Sequence, residues 1–403
     1  FMLTSGSTGG PKAVITTQRM LTSNQEMIRN VFAFVKDDPV ILDWLPWNHT
    51  FGGNHNVGMV LYNGGTFYID DGLPTPAKIE ATIRNLREIA PTIYFNVPKG
   101  FEELVPHLRK DAALRENFFS RLQSLFFAGA GLAPHVWQAL DELSVASVGA
   151  RVPMLTGLGA TETAPFSLSC SPSNAASGRV GLPAPGNTLK LVPVGDKLEA
   201  RILGPNVTPG YWRQSEKTAA AFDEEGYYCL GDALTFVDEN DINLGFHFDG
   251  RISEDFKLAS GTWVSVGPLR ARAISHCAPL VRDVVFAEIN RDYLTALFIM
   301  DTEACAGLTD DLTVKSPYGD IVRHPSVRAA MQAHLDALAA IPGGSSQRIM
   351  RAILLDTPPD VDSGEITDKG SINQRAVLTR RASDVEALYA DNLAEHVLVA
   401  NLN

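Results

Sequence analysis

Nine residues near the start of the sequence, Thr4-Ser5-Gly6-Ser7-Thr8-Gly9-Gly10-Pro11-Lys12, place four hydroxyls, three glycines and a lysine in one short run. Glycines let a backbone turn so that successive N–H groups face a single anion. Hydroxyls add donors and the lysine adds charge, so the chemistry expected here is phosphate binding. A Walker A loop ends in Gly-Lys-Ser/Thr and opens a helix. In this chain Pro11 precedes the lysine, Ala13 follows it, and residues 13–16 read as a strand. A Walker A ATPase is therefore excluded. No second cluster of this kind stands out. His49 and His55 lie six apart, and the cysteines at 170, 229, 277 and 305 form no Cys-x-x-Cys pair. Neither pattern has metal-ligand spacing, and a disulfide framework is not expected at this size, which points to a reducing cytoplasm.

The elements that must hold such a loop are legible from periodicity. Residues 19–34, 77–89, 101–108, 113–119 and 134–148 have helical spacing. They alternate with strand-like runs at 40–45, 92–96, 122–127 and 152–155, and residues 46–56 read as a loop. That alternation predicts α/β layers. From Gly178 onward Gly and Pro become frequent and short strands follow at 188–193 and 198–203, which predicts a β-rich subdomain. Beyond a boundary near 250–253, two strands (284–289 and 294–300) and a helix (326–340) predict a small α+β domain. The expected division is 1–177, 178–250 and 251–403. The chain has 403 residues, 45% of them hydrophobic, enough for two or three domains with real cores. Its net charge is −12 and no Lys/Arg run is interleaved with aromatics, so a nucleic-acid-binding face is not expected. No apolar run reaches the roughly 18 residues of a membrane span. The phosphate loop needs a strand feeding it, and only Phe1–Leu3 precede it, so an N-terminal region is expected to be missing.

The opening loop closely resembles the signature of the adenylate-forming superfamily, which includes acyl-CoA synthetases, peptide-synthetase adenylation domains and luciferases. Further motifs follow in that family's order. Pro46-Trp47-Asn48-His49-Thr50-Phe51 resembles the loop that brings a histidine to the acyl pocket. Ala128-Gly129-Ala130-Gly131-Leu132 resembles the turn that approaches adenine. Gly157-Leu158-Gly159-Ala160-Thr161-Glu162-Thr163 resembles the Tyr-Gly-x-Thr-Glu motif, with Leu158 where an aromatic ring usually stacks on adenine. Gly204–Trp212, and then Glu225 through Gly231-Asp232, resemble a family pair. Gly250-Arg251-Ile252-Ser253-Glu254-Asp255-Phe256-Lys257 resembles the interdomain hinge, with Ser253 in place of the usual Asp.

The resemblance implies a large adenylation domain, made of an α/β part and a β-rich part, followed by a small mobile α+β domain. It implies that Thr4, Ser5, Gly6, Ser7, Thr8, Gly9 and Lys12 hold the β,γ-phosphates of ATP. Gly129, Ala130, Gly131, Leu158 and Gly159 would lie against adenine, with Thr161 at the phosphates and Glu162 on Mg²⁺. Asp232 would take the ribose hydroxyls, as one bidentate acceptor suits two neighbouring donors, and Arg251 would reach ribose or phosphate. Ser253 would be the pivot, Lys257 would serve thioester formation, and Gly261 would leave room for the pantetheine arm of CoA. The family's catalytic lysine falls on Lys369, since only Lys257, Lys315 and Lys369 follow Arg251 and Lys315 stands in a polar insertion. His49, Phe51, Phe95, Asn96 and Val97 are candidates for the acid pocket.

Residues 254–270 and 364–378 resemble bacterial feruloyl-CoA synthetases, which makes a hydroxycinnamic acid the expected substrate. Three alternatives stay open: a medium- or long-chain fatty acyl-CoA synthetase, an adenylation domain that loads a carrier protein, and a nucleotide-binding pseudoenzyme.

Overall fold

The computed structural model describes residues 1–4, 12–36, 38–75, 78–287, 291–313, 315–360, 363–366 and 372–401. By internal contacts the chain divides into two units, Phe1–Phe248 and Asp249–Asn403.

The first unit is built on three parallel strands, β5 (Ile93–Asn96), β6 (Ser124–Phe127) and β7 (Met154–Leu158). All four residues of β5 and of β6 are buried, as expected for strands covered on both faces. The sheet continues into antiparallel β8 (Leu168–Ser169), β9 (Arg179–Pro183), β13 (Phe246–Arg251), β12 (Tyr228–Phe236), β11 (Lys197–Leu203) and β10 (Thr188–Val194). The α/β half and the β-rich half are thus one nine-stranded mixed sheet among the described residues. Two smaller pairs stand apart from it: β1 (Met2–Thr4) with β2 (Lys12–Val14), antiparallel, and β3 (Val40–Asp43) with β4 (Thr66–Ile69), parallel.

Helix Gln18–Val31 shows why the sequence folds this way locally. Thr17 caps it, its Oγ1 accepting the Met20 N–H at 3.2 Å. Met20, Asn24, Met27 and Ile28 recur at helical spacing and are buried. Asn24 is the odd residue on that face, and its amide serves the site described below. On the other side of the sheet, Phe101, Phe118, Phe119 and Tyr94 pack in one cluster; truncating such an aromatic costs about 3–5 kcal/mol.

Residues 46–56 differ from the loop expected there. Phe51–Val57 forms a wide helical turn that runs into helix Gly58–Asn63. The glycines allow it: a Cβ on Gly53 would lie 2.2 Å from the Trp47 carbonyl oxygen, and one on Gly52 2.6 Å from those of Leu45 and Pro46. Lacking Cβ atoms, the turn folds flat onto the chain before it.

The second unit is α+β. Hairpin β14 (Phe256–Lys257) and β15 (Trp263–Val264) precedes a four-stranded sheet in the order β16 (Val281–Ala287), β17 (Leu294–Met300), β18 (Ile349–Leu354), β19 (Val397–Val399). Helices Val266–Cys277 and Pro325–Ala340 bury Leu269, Ala273, Met331 and Leu335 in the core on one face.

Candidate functional site

The two ends of the candidate phosphate loop meet. In the β1–β2 pair Thr4 stands opposite Lys12. Ser5, Gly6, Ser7, Thr8 and Gly9 lie outside the described residues. Lys12 points to Tyr211 and Glu162. Its Nζ donates to Tyr211 Oη at 3.1 Å, lies 4.3 Å from the centre of that ring, and is 4.0 Å from Glu162 Oε1. The tyrosine hydroxyl donates to the same carboxylate oxygen at 2.8 Å. Burial, followed by the Glu162 charge, pushes ionisation of Tyr211 and of neighbouring Tyr228 well above the ordinary range, so both remain neutral phenols.

Glu162 is 5% exposed, on the turn Thr161–Thr163. Two asparagines hold that turn. Asn206 Nδ2 donates to the carbonyls of Thr163 (2.8 Å) and Phe166 (3.1 Å). Asn24 donates to the Phe166 carbonyl at 2.9 Å and accepts the Phe166 N–H at 3.2 Å. The Thr208 N–H donates to the Glu162 carbonyl at 2.8 Å. Sequence reasoning singled out neither Asn24 nor a role for Asn206 and Tyr211. The signal for the latter two lay in the Gly204–Trp212 motif; for Asn24 it was a polar residue on an apolar helix face.

The glycines at 157 and 159 have a packing reason. A Cβ on Gly159 would lie 1.6 Å from the Pro165 carbonyl oxygen, and one on Gly157 2.5 Å from that of Leu168. Leu158, between them, packs against the apolar cluster of Leu168, Val180 and Leu234.

The carboxyl ends of the three adjacent parallel strands gather the remaining first-unit motifs. Asn96 ends β5, the Gly129–Gly131 turn follows β6, and Leu158, Gly159 and Thr161 close and follow β7. Ligands in open α/β sheets bind at such ends. Gly129 has φ +92°, Ala130 and Gly131 are exposed, and a Cβ on Gly131 would meet nothing within 4 Å, so this turn borders open space.

The candidates for the acid pocket are brought partly together. Phe51 and Phe95 pack edge-to-face at 6.2 Å, and His55 is wedged among Phe51, Phe95, Phe126 and Phe166 at 5.2–5.9 Å. Asn96 turns inward, accepting from Trp44 Nε1 (3.2 Å) and donating to Tyr94 Oη (3.1 Å). Val97 caps helix Pro98–Lys110, and His49 is half-buried, its Nδ1 accepting the Phe51 N–H. Behind His55 runs a polar chain: His55 Nδ1 to Asn56 Oδ1 at 2.8 Å, and Asn56 Nδ2 to Asp43 Oδ2 at 2.7 Å. Burial lowers the His55 pKa to about 4 and raises that of Asp43 to about 7, so each is held neutral near pH 6.

Asp232 sits at a bulge in β12. Glu199 pairs with Ala233 but Arg201 with Cys229, and Gly231 between them has φ +76°. A bulge of this kind re-aims a side chain, and glycine supplies the left-handed conformation. Asp232 as a residue is 7% exposed.

In the second unit, Arg251 ends β13 and is exposed. Ser253 lies in the turn closed by the Glu254 N–H to the Arg251 carbonyl at 3.1 Å. Lys257 and Gly261 share one hairpin: Lys257 Nζ lies 4.8 Å from the Trp263 ring centre, and Gly261 has φ +80° with open space around it. Lys369 lies outside the described residues. The chain either side of it is pinned. Ile366 pairs with Ile372, and Glu365, 1% exposed, takes Arg381 Nε at 2.9 Å.

The strand pair that sets Thr4 opposite Lys12, the Lys12–Tyr211–Glu162 cluster and the mixed α/β sheet are what a nucleotide-handling enzyme would need. Residues 1–212 match the AMP-binding enzymes, and the chain belongs to that family. It is 27% identical to a carboxylic acid reductase of Segniliparus rugosus over 97% of this chain and 33% of that protein. It is 28% identical to a benzoate–CoA ligase of Thauera aromatica over 71% of this chain and 52% of that protein. The chain thus spans between a third and about half the length of these relatives. Among solved structures, the adenylation domain of a carboxylate reductase from Mycobacterium chelonae superposes with a TM-score of 0.73 at 25% identity, covering 97% of this chain and 60% of that one. The architecture is that of an adenylation domain.

Proposed function

We propose that the protein is an AMP-forming acid–thiol ligase that adenylates a carboxylic acid with ATP and passes the acyl group to CoA. The observation that carries this reading is the Lys12–Tyr211–Glu162 cluster beside the strand pair in which Thr4 stands opposite Lys12, in a chain of the AMP-binding family. In the first half-reaction an oxygen of the substrate carboxylate attacks the α-phosphorus, the bond to the bridging oxygen breaks, and pyrophosphate leaves. Thr4, Ser5, Gly6, Ser7, Thr8, Gly9 and Lys12 hold the departing phosphates. Thr161 stands by them, Asp232 takes the ribose hydroxyls, and Gly129–Gly131 with Leu158 and Gly159 border adenine. Lys369 offsets the charge that grows between carboxylate and α-phosphate. In the second half-reaction the CoA thiolate attacks the acyl carbon and AMP leaves, served by Lys257 and Gly261 after rotation about Ser253, while Arg251 reaches ribose or phosphate.

Mg²⁺ fits as the ion that ATP carries. It takes one or two carboxylates and draws its other ligands from phosphate and water, and Glu162 is a buried carboxylate with polar neighbours. When bound it neutralises phosphate charge. Among the described residues no group of three or more His, Cys, Asp or Glu could hold a metal without the nucleotide.

The proposed acid is aromatic, a hydroxycinnamate such as ferulate. Support comes from the phrasing of residues 254–270 and 364–378, the Phe51–Phe95 pair, and relatives that are benzoate– and anthranilate–CoA ligases. We place the reaction in the cytoplasm; no helix among the described residues is long and apolar enough to cross a membrane.

The test is acid-dependent pyrophosphate release by the full-length protein against ferulate, coumarate, benzoate and fatty acids. Lys369→Ala abolishes release while the fold survives, and undiminished adenylation refutes the assignment. Lys257→Ala keeps adenylation and loses thioester formation; equal loss of both steps refutes that division of labour. A second reading is favoured by the reductase match over 97% of the chain: an adenylation domain whose acyl acceptor is a carrier-borne thiol. Mass spectrometry of the product, with CoA and a phosphopantetheinyl carrier offered together, separates the two.

A further inference from the structure

The carboxylate assigned to the divalent cation already has a cation of the chain itself near it. Lys12 Nζ lies 4.0 Å from Glu162 Oε1, and both are tied to the single hydroxyl of Tyr211. A Mg²⁺ ion sits about 2.0–2.1 Å from its oxygen ligands. An ammonium group already beside that oxygen opposes its entry by like-charge repulsion, in a pocket where burial weakens solvent screening. Lys12 must therefore move from Glu162 to the incoming phosphates as the metal–nucleotide arrives.

We propose that Tyr211 is the positioning residue that governs this exchange. Its proton is given to Glu162 Oε1, which leaves its oxygen lone pairs to accept from Lys12. The Glu162 carboxylate keeps the Tyr211 donor, with the Tyr228 hydroxyl hydrogen-bonded to both, whichever cation stands beside it. Lys12 is held by a neutral acceptor that it can leave at the cost of one hydrogen bond, rather than in a close bidentate ion pair.

The backbone holds the phenol in place. Tyr211 pairs with Val14, two residues after Lys12, the Trp212 N–H donates to the Ala13 carbonyl (2.8 Å), and the Ile15 N–H to the Gly210 carbonyl (3.0 Å). On the other side Thr208 donates its N–H to the Glu162 carbonyl and its Oγ1 to the Ile15 carbonyl (2.7 Å). The segment 208–212 is thus a strut hydrogen-bonded both to the strand that leaves the phosphate loop and to the acidic turn. Tyr211 itself is 5% exposed, and Tyr228, 6% exposed and stacked edge-on to Phe222 at 5.7 Å, backs it.

This inference rests on the proposed nucleotide site, and one calorimetric experiment separates the two. Affinity of the full-length protein for α,β-methylene-ATP is measured in EDTA and in saturating Mg²⁺; the ratio is the gain conferred by the metal. Tyr211→Phe keeps the ring and removes only the hydroxyl. The expected result is a metal gain reduced about tenfold, the scale of one hydrogen bond to a charged group, with affinity in EDTA unchanged within twofold. In a Lys12→Met background the same change has less than a threefold effect on the gain. Equal weakening with and without metal marks a structural role only and overturns the proposal, as does an unchanged gain. If the unaltered protein binds no nucleotide, the nucleotide reading itself fails and takes this inference with it. Should Tyr211→Phe not fold, Lys12→Met decides by the same ratio: without the ammonium that the Tyr211 hydroxyl holds beside Glu162 the metal gain rises above the parent's, and no rise overturns the proposal.

Discussion

Asp43 and His55 bury two titratable groups of opposite type at the two ends of one asparagine, and their effects on stability have opposite signs. Asp43 titrates at about 7 when folded, against 3.8 for an ordinary aspartate, because burial outweighs its hydrogen bonds from Asn56 and the Leu45 N–H and Asp70 lies nearby. Between those values the folded state holds a proton that the unfolded state has released, so stability falls as pH rises. His55 titrates at about 4 when folded, against 6.5 for an ordinary histidine, through burial among aromatic rings. Between those values the unfolded state holds the extra proton, so stability rises with pH. Over pH 4.5–6.5 each slope is about 1.4 kcal/mol per pH unit, and the two cancel. Asp43→Asn removes the falling term, so the variant gains about 3 kcal/mol relative to the parent between pH 4.5 and 6.5. His55→Phe, which fits an aromatic cage, loses about the same amount over the same interval. The measurement is urea unfolding at pH 4.5, 5.5 and 6.5, followed by tryptophan fluorescence. With about 3 kcal/mol per molar urea, the relative midpoint moves by roughly 1 M across the range. Comparing variant with parent at each pH cancels the other titrating groups. If Asp43→Asn and the parent keep parallel pH profiles, the carboxyl does not titrate near 7 and the reasoning fails.

Two further perturbations test other joints of the site. Arg381→Met strands the Glu365 carboxylate, which is 1% exposed and among the described residues retains only the Asp360 N–H (3.1 Å) and a long contact to Ser363 Oγ. The expected cost is about 3 kcal/mol in unfolding of the second unit, and the double variant Glu365→Leu/Arg381→Met recovers at least half of it; a single-variant loss below about 1 kcal/mol refutes this. Gly231→Val places a β-branched residue at φ +76° with nothing within 4 Å, so its penalty is conformational, about 1–2 kcal/mol, and relief of that strain turns Asp232 away; nucleotide affinity falls about tenfold while the melting temperature shifts by only a few degrees.

Much of the fold was legible because the signals were local. Helical periodicity marks Pro134–Val148 to the residue, and the two strand-like runs at 284–289 and 294–300 mark the antiparallel pair β16–β17. What periodicity hides is pairing between distant segments. β18 runs parallel to β17 across an intervening stretch of about fifty residues, and β19 is too short to announce itself. The wide helical turn Phe51–Val57 is invisible for a different reason: its glycines read as loop formers, whereas their work is close approach to the carbonyls of residues 45–47.

The same ambiguity runs through the site. Gly157 and Gly159 are motif residues whose required smallness comes from the returning chain at Pro165 and Leu168, before any ligand is considered. A motif of this kind encodes two demands at once, a turn that can be packed and an acidic group presented at its end. Glu162 meets the second only because Asn24, Asn206 and Thr208 meet the first, and these come from a helix and a loop far apart in sequence. That division makes a distinction available to experiment. A substitution in the asparagine pair loosens the whole turn and lowers stability together with nucleotide binding. Removing the Tyr211 hydroxyl leaves the turn intact and alters only what the carboxylate can hold. Stability and metal gain therefore separate along the line between the residues that build the turn and the residue that tunes its charge.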